Sequence, residues 1–415
     1  MNEMTVYWIW LQLCLGSGAK VDEGIAYFGN PKAVFDAKHE QLVYSGAFTP
    51  AQIGKLSDKS LAKAEKVITE CEDIGCGIIT PDNAKYPEAL MCMPNYPLVL
   101  YTLGNIECMK DKMTISIVGA RRASDEGVRM AGSLAASLCR AGVIVVSGGA
   151  LGIDSAAHLG VLSEGGSTIA VIACGFNANY RDGINIIRDD IMEKGAVISE
   201  YPPSAGVKAI NFPIRNRIIA ALGMGTVVVE AAAKSGSLIT ANLAAEYGRE
   251  VFAVPGNAAS FIHLGTVGLI RDGAIPVFSS LDILGQFSAV HTDLVKWDKV
   301  ESDLLNEEGQ KIDYSIIKYG ADKVVVTKNK NAGVSKKELE EIPPASDSDS
   351  DKEELPAWLG ETEMAVYEAI AGGCADADSV FEKTGVSMPE ILTALTMLEV
   401  SGIIKSQGGN IYKKK

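Results

Sequence analysis

Between residues 115 and 278, short apolar runs rich in β-branched residues alternate with longer stretches rich in alanine and leucine. The runs are ISIVGA, VIVVSGG, STIAVIACG, AVISE, TVVVE, VFAVPG and AIPVF. Continuous apolar strands separated by helices are typical of a parallel sheet that is covered on both faces. We therefore predict an α/β fold, with a Rossmann-like, doubly wound and mostly parallel sheet over residues 114–285. Such sheets bind ligands where the carboxyl ends of the strands meet loops and helix N-termini.

The segment that precedes this sheet divides into a helical part and a connector. Residues 1–85 predict a small helical domain of the SAM or helix-hairpin-helix type, in which a Gly16-Ser17-Gly18 turn joins two helices. Backbone N–H groups at such a turn can contact a phosphate, but these turns also serve only to pack against a neighbour. Residues 86–113 contain several prolines and are expected to form a connector.

The segment that follows the sheet predicts a linker and a second small domain. Residues 286–358 are polar, acidic and rich in proline and serine, which is the composition of a flexible linker. Residues 359–415 predict three helices and a hairpin around Gly408-Gly409, the pattern of a winged-helix domain. The third helix candidate, 389–400, holds Glu390 and Glu399 and no basic residue. A helix that reads the major groove usually carries basic or amide side chains, so we expect this domain to be a protein-contact or accessory element, with DNA contact as the alternative.

Composition excludes several classes of protein. A chain of 415 residues with 47% apolar residues can bury more than one core. The apolar run from Val6 to Leu15 is half the length of a membrane helix, and it follows an acidic residue, so we expect neither a membrane span nor an export signal. The eight cysteines lack paired spacing, which predicts reduced thiols in the cytoplasm and no zinc site.

The charge distribution favours an anionic ligand in the middle segment. The net charge of −14 argues against nucleic acid at first sight, because phosphate binding needs a basic surface. All ten arginines, however, lie between Arg121 and Arg271, and residues 114–285 carry thirteen basic and fourteen acidic groups. Arginine grips phosphate through two hydrogen bonds, whereas lysine acts as a point charge. An anion site is therefore predicted in the sheet domain.

The predicted strands end in glycine-rich or polar turns that could form such a site. Glycines let backbone N–H groups approach a ligand, and helix N-termini add positive potential. Each loop also holds one acid, Asp154 or Glu230, and Asp154 can equally be a helix cap. The candidate residues for this rim are Gly119 and Arg121, Ser147, Gly148, Gly149 and Gly152, Arg215, Asn216 and Arg217, and Ser235, Gly236 and Ser237.

Nothing in the sequence predicts catalysis. The chain has four histidines and neither a G-x-S-x-G nor an H-E-x-x-H motif. His158 lies one helical turn after Asp154, but a buried helix histidine is the more ordinary interpretation. We expect no catalytic residue, no metal ligand and no cofactor.

The motif series resembles a known family. In order, VGARRAS, SGGALGIDSAAH, TIAVIACG, ISEYP, NFPIRNRIIAAL, VVVEAAAKSGSLITANLAAEYGREVFAVPG and LIRDGA closely resemble the DNA-processing protein A family (DprA, also called Smf). The N-terminal GSG hairpin, the KYPEAL connector and the C-terminal winged helix are similar to further parts of that family. The resemblance covers nearly the whole chain except the acidic linker.

The resemblance implies a cytoplasmic protein that binds and protects incoming single-stranded DNA and loads RecA recombinase during natural transformation. It also implies a homodimer formed through the Rossmann-like domain, and no membrane partner. Arg121 matches the family's DNA-contacting arginine, and the glycine-rich loop, FPxRNR and SGSLIT motifs match at the residues named above. Where the family has a basic residue near a proline after the third strand, this chain has Arg181, which would supply a second positive contact.

The sequence departs from the family's motifs at two places, and two other functions are kept as alternatives to DNA binding. GFNANYRDGIN replaces the family's GxDxxYPxxN, and Gly265-Thr266-Val267 replaces a GTN-type turn. One rival is a nucleotide-processing enzyme of the lysine-decarboxylase-like phosphoribohydrolase type, although its PGGxGTxxE motif is absent. The other is a scaffold whose pocket binds a small nucleotide as a signal.

Overall fold

The chain divides into two compact units, residues 1–335 and 336–415. The computed structural model describes residues 3–178 and 184–300 in the first unit. In the second it describes 361–372, 376–384, 404–406, 412–414 and the single residues 386, 388, 391, 394, 395 and 398.

A nine-stranded sheet organises the first unit, in the order β1-β2-β6-β5-β4-β3-β7-β8-β9. Its strands are β1 (Gly77–Ile79), β2 (Leu100–Gly104), β3 (Thr114–Val118), β4 (Ile144–Ser147), β5 (Thr168–Ile172), β6 (Ala196–Ser199), β7 (Gly225–Val228), β8 (Glu250–Ala253) and β9 (Ile275–Pro276). The seven strands from β3 to β9 pair in parallel, whereas β2 pairs antiparallel with both β6 and β1. This mostly parallel α/β sheet confirms the predicted fold class.

Helices cover both faces of the sheet. They are α1 (Thr5–Leu15), α2 (Asp22–Phe28), α3 (Pro31–Asp36), α4 (His39–Ser45), α5 (Pro50–Leu56), α6 (Ala62–Asp73), α7 (Asp125–Arg140), α8 (Ile153–Ser163), α9 (Ile184–Lys194), α10 (Asn211–Leu222), α11 (Ser237–Glu246), α12 (Leu264–Arg271) and α13 (Ser280–Leu284). Short 3₁₀ helices lie at Glu88–Cys92, Ile106–Met109, Phe261–His263, Gly285–Phe287 and Thr292–Leu294.

In the central strands β3, β4 and β7, alternate residues enter two different hydrophobic cores. In β3, Ile115 and Ile117 pack with α7 and α8, whereas Val118 packs on the opposite face. The first six helices share that second core with the sheet, so Trp8 of α1 belongs to the same apolar cluster as Val171 of β5. The helical N-terminal segment is therefore packed directly against the sheet, and its predicted SAM-like character stays a prediction.

The sheet begins before residue 114, where the sequence predicted only a connector. Within 86–113, the run Leu100–Gly104 forms β2 and pairs with β6 from Tyr101↔Ser199 to Gly104↔Ala196. Its side chains from Leu100 to Leu103 are buried. The prolines at 94 and 97 precede the strand and suggested an irregular segment, but neither has to donate to the ladder.

The second unit has its own small core. It contains α14 (Glu361–Ala371), α15 (Ala377–Thr384) and an antiparallel pair of strands, β10 (Ile404–Ser406) and β11 (Tyr412–Lys414). Ile391, Ala394, Leu395 and Leu398 are buried in this core at helical spacing, within the predicted third helix. The rest of that helix, the hairpin turn and residues 301–358 of the predicted acidic linker lie outside the described residues. Residues 286–300, which the sequence predicted as the start of the linker, instead pack on the first unit, where Phe287, Val295 and Val300 are buried in the same core as β3 and α7.

Among the described residues, no helix is both long enough and apolar enough to cross a membrane. The same residues contain no group of three or more histidine, cysteine or acidic side chains placed to hold a metal ion.

Candidate functional site

The predicted rim lies at the carboxyl edge of the parallel strands. From β3 the chain proceeds outward through β4, β5 and β6 on one side, and then returns to the other side of β3 with β7. This reversal opens a crevice between the loops that follow β3 and β7, where doubly wound sheets bind their ligands.

The loop after β3 is fixed by a buried acid and presents two exposed arginines. The backbone N–H of Ala120 donates to the carbonyl oxygen of Glu230 at 2.8 Å. The Glu230 carboxylate accepts from the Ser124 hydroxyl at 2.6 Å and from its backbone N–H at 3.1 Å, while Ser124 caps α7. Glu230 is fully buried, whereas Arg121 and Arg122 are exposed. The acid therefore holds the loop and leaves the cations in solvent.

The glycine-rich loop after β4 is covered by other parts of the protein. A β-carbon at Gly148 would lie 2.6 Å from Asp154 Oδ2 and 2.8 Å from Arg215 Nη1. At Gly152, which has a φ of 81°, it would collide with the carbonyl oxygen of Ala120. Only glycine fits these positions, because neighbouring protein atoms occupy the space that a side chain would need.

Two other glycines of the rim, Gly149 and Gly119, are also covered by neighbouring side chains. A β-carbon at Gly149, where φ is 72°, would lie 3.1 Å from Ile184 of α9, and one at Gly119 would lie 2.6 Å from Ile153 of α8. The sequence predicted that these glycines open the backbone to a ligand. In the described geometry their smallness serves internal packing, and a ligand contact by them stays a prediction.

Ser147 and Arg215 are also engaged internally. The Ser147 hydroxyl is buried and donates to the carbonyl oxygen of Ile117 at 2.6 Å. Arg215 is 5% exposed, and its Nη1 donates to the carbonyl oxygens of Gly148, at 2.6 Å, and of Val171. Arg215 thereby ties α10 to the ends of β4 and β5, which is a structural position rather than the expected phosphate contact.

Arg217 forms a buried ion pair. Its Nη2 lies 2.6 Å from Glu200 Oε1, and both side chains are 3% exposed. Burial raises the pKa of Glu200 above its usual value, and the nearby Arg217 charge offsets part of that rise. The sequence predicted that Arg217 contacts DNA. Its guanidinium lies inside the protein against an acid, so we do not include Arg217 among the proposed DNA contacts.

The remaining predicted residues form a turn at the start of α11. Ser235 and Ser237 hydroxyls lie 2.8 Å apart, and the Asn216 side-chain amide donates to the carbonyl oxygen of Gly236 at 3.3 Å. Gly236 is exposed, Ser235 and Asn216 are half-buried, and Ser237 is buried. The structure thus brings the FPxRNR and SGSLIT motifs together. Arg181 lies outside the described residues.

Exposed charge at this edge is mostly positive, and it covers a buried layer in which Arg215 and Arg217 accompany three acids. Asp154, Glu200 and Glu230, which follow β4, β6 and β7, are 7%, 2% and 0% exposed. Exposed cations follow β3, β6 and β7; they are Arg121, Arg122, Lys208 and Lys234. The exposed acids close by, Asp125 and Glu126, belong to the first turn of α7, and Glu126 pairs with Arg129 at 3.3 Å.

Three of these cations were not among the predicted site residues; they are Arg122, which directly follows Arg121 in the VGARRAS motif, and the two lysines. Lys208 lies between β6 and α10, and Lys234 lies between β7 and α11. Both could have been found from their positions, since each follows an apolar run that ends in glutamate, ISE or VVVE.

His158 is a buried core histidine. Its Nδ1 lies 2.8 Å from the hydroxyl oxygen of Thr168, and its side chain is fully buried. Burial, followed by the nearby charge of Arg215, lowers the pKa of His158 to about 3. The imidazole is therefore neutral at physiological pH and does not face the loops.

The N-terminal glycine turn packs against this region. Gly18 N–H donates to Glu200 Oε1 at 3.4 Å, and its carbonyl oxygen accepts from the Asn95 side chain at 3.4 Å. A β-carbon at Gly18 would lie 2.9 Å from Ile214 of α10. Of the two interpretations left open by the sequence, this geometry favours packing. Residues 265–267, which the sequence analysis placed in a turn, lie in the first turns of α12, where Thr266 is buried and donates to the carbonyl oxygen of His263 at 3.1 Å.

Comparison with known proteins identifies the class and then the family. The sheet, the switch-point loops and the appended small unit define an α/β protein with a C-terminal winged helix. The family described as DNA recombination-mediator protein A matches residues 77–288, and the DprA winged helix domain matches residues 343–410. The chain belongs to the DNA processing protein A family, also called DprA or Smf.

Curated and solved relatives agree with this placement. Protein Smf of Synechocystis sp. is 30% identical over 340 residues, covering 81% of this chain and 80% of that protein. DNA processing protein DprA of Bacillus subtilis is 37% identical over 222 residues, or 53% of this chain and 74% of the relative. The X-ray structure of DprA from Streptococcus pneumoniae superimposes with a TM-score of 0.60 at 31% identity, covering 68% of this chain and 98% of that one.

Proposed function

We propose that this protein binds single-stranded DNA at the carboxyl edge of its sheet and delivers the strand to RecA recombinase during natural transformation and recombination. The observation that carries the proposal is the excess of exposed positive charge at that edge. Three acids face inward, and Arg121, Arg122, Lys208 and Lys234 face solvent. A chain with a net charge of −14 thereby presents a local cationic surface.

The geometry suits a polyanion better than a small ligand. The four exposed cations follow three different strands, so they lie on separate loops along the sheet edge rather than around one point. A strand that neutralises several phosphates releases bound counterions, and its affinity falls log-linearly with salt. A mononucleotide would engage few of these cations at once.

Single strands are favoured over duplex because their bases are exposed. The Phe212 ring is half-buried at the start of α10 and lies next to Arg121. Single-strand-binding sites combine a positive groove with aromatic or guanidinium surfaces. No strand or helix of the described rim carries the row of base-reading side chains that major-groove recognition needs.

The role proposed is non-enzymatic and needs no cofactor. The rim acids are used as internal anchors, with Glu230 bound to Ser124 and Glu200 bound to Arg217. His158 is buried and neutral. The phosphoribohydrolase alternative would need an acid or base directed into the crevice, whereas Glu230 and Glu200 are engaged inside the protein and His158 is neutral.

The partners follow from the family. Its description as a recombination mediator supports RecA as the recipient of the strand, in the cytoplasm where RecA works. A homodimer through the sheet domain is supported by exposed apolar side chains near α12. Phe261 is 69% exposed, and Ile262 and Leu264 follow it at 37% and 40%. Apolar surface of this kind favours a protein contact.

Fluorescence anisotropy of a labelled oligothymidine and its matched duplex tests the proposal. We expect tight single-strand binding that weakens log-linearly with salt, and much weaker duplex binding. RecA ATPase on strands covered by single-strand-binding protein should then rise on addition of this protein. Absence of strand binding at low salt, or release of base from a nucleoside monophosphate, would overturn the proposal.

A further inference from the structure

Three side chains form a chain of contacts from the interior to the cationic surface. The Cζ of Arg215 lies 6.0 Å from the centroid of the Phe212 ring, and the Cζ of Arg121 lies 4.8 Å from the same centroid. Guanidinium groups at such distances are attracted to an aromatic ring by its quadrupole. The ring therefore touches one buried and one exposed cation.

The inner end of this chain is fixed. Arg215 is 5% exposed, and its guanidinium donates to the carbonyl oxygens of Gly148 and Val171. Phe212 precedes Arg215 by three residues on α10, so the two side chains share a face of the helix. The guanidinium beside the ring is thereby fixed to the ends of β4 and β5.

The outer end has little support of its own. Arg121 lies in the irregular loop between β3 and α7, and its side chain is exposed. A long exposed side chain loses considerable rotamer entropy when it is fixed on a ligand. The contact with Phe212 restricts that freedom before any ligand arrives.

We propose that Phe212 is a positioning residue, which holds the Arg121 guanidinium in place for a phosphate of the bound strand. This inference rests on the proposed function, because it assumes that Arg121 contacts DNA. It assigns Arg215 a supporting part, in which the buried guanidinium steadies the ring. The competing role for Phe212 is direct stacking on a base, and it makes a different prediction.

A double-mutant cycle separates the two roles. The variants are F212L, R121A and R121A/F212L, and the measurement is the dissociation constant for labelled oligothymidine at one low salt concentration. We expect F212L to weaken binding about two- to fivefold, which is the range of an exposed cation–π contact. In the R121A background the same change should have no further effect, because the residue that Phe212 positions is already gone.

The control variant keeps the aromatic face. F212W should bind within about twofold of the wild type, since tryptophan offers an equal or better surface to a guanidinium. Thermal melting of each variant checks folding, and F212M replaces F212L if the leucine variant does not fold. A merely structural role of Phe212 would neither vanish in the R121A background nor be rescued by tryptophan.

The outcomes are distinct. Multiplying losses in R121A/F212L would overturn the inference and favour direct base stacking. An unchanged affinity of F212L, in a protein where R121A weakens binding, would also overturn it while leaving the proposed function intact. Absence of binding by the wild type would instead reject the proposed function itself.

Discussion

The exposed cations of the rim and the buried charges directly beneath them use the same residue types for opposite purposes. Arg121 and Arg122 are solvent-exposed on a loop, whereas Arg217 is 3% exposed and paired with Glu200 at 2.6 Å. An exposed guanidinium is available to a phosphate and adds little to stability. A buried one is already committed to its partner, and removing it strands a charge in a region of low dielectric.

The difference separates two kinds of variant. Changes in the buried layer should reduce stability, and changes at the surface should reduce strand affinity. The buried layer also reaches the N-terminal helices, because Gly18 and Gln12 both bond to Glu200. Variants in each layer test this division.

Replacing Arg217 by alanine should destabilise the first unit by about 3–5 kcal/mol, the usual cost of removing one partner from a buried ion pair. Urea unfolding followed by circular dichroism measures the loss. Arg122→Ala, an exposed arginine of the same sheet edge, should change stability by no more than about 0.5 kcal/mol. If Arg217→Ala kept its stability and lost strand binding, the division between the two layers would be wrong.

Acid should destabilise the protein through His158. The pKa of His158 is about 3 in the folded protein, against about 6.5 when unfolded. Because the pKa of His158 is lower in the folded protein than in the unfolded chain, the stability contributed by the neutral imidazole is fully present above pH 6.5. It is lost as the pH falls from 6.5 toward 3, since protons then bind to the unfolded chain and not to the folded protein. Between pH 6.5 and 5 the loss amounts to roughly 2 kcal/mol.

Unfolding free energies at several pH values check this prediction against the variant His158→Gln, which should lose less stability over the same interval. Equal pH dependence in both proteins would mean that His158 is accessible to protons in the folded state.

Arg121→Ala should weaken single-strand binding about tenfold, the loss expected from one charge-assisted hydrogen bond. Its melting temperature should stay that of the wild type, because the side chain is exposed. Anisotropy titration measures the affinity, with Lys112→Ala as the control. Lys112 is exposed just before the amino end of β3, at the opposite edge of the sheet. A similar loss in both variants would indicate general electrostatics rather than a site.

Lys208→Ala and Lys234→Ala should each weaken binding by about two- to fivefold. Lysine acts as a point charge and makes a smaller, less directional contribution than arginine. Each change should also lower the magnitude of the salt slope by about 0.7, the value for one phosphate contact on a single strand. Slopes equal to that of the wild type would place these lysines outside the strand's path.

The fold was predictable because its signals are local. Seven apolar runs and the helices between them set the parallel sheet, and the predicted winged helix is confirmed by the family match over residues 343–410. The antiparallel strand β2 was missed, since nearby prolines resemble a connector and pairing with β6 is a long-range event. Strand register between distant segments has no local sequence signal.

The direction of each charged side chain was not predictable. Arg215, Asn216 and Arg217 are consecutive in the sequence. The two arginines are nevertheless buried and the asparagine is half-buried, because both flanks of α10 are covered. Motif spacing reveals that these residues gather at one edge. Only the packing of α10 against β3, β4 and β5 and against the glycine turn of residues 16–18 decides which of them meets solvent.

The most direct test of the cationic rim is the salt dependence of single-strand binding by the wild type and by the triple variant Arg121→Ala/Lys208→Ala/Lys234→Ala. If the cationic rim binds the strand, the affinity of both proteins should fall log-linearly with salt concentration, and the slope for the triple variant should be smaller in magnitude by about 2. The control variant Lys110→Ala/Lys112→Ala, which removes two exposed lysines near the opposite edge of the sheet, should retain the slope of the wild type. An unchanged slope in the triple variant, or no strand binding by the wild type at low salt, would contradict the account.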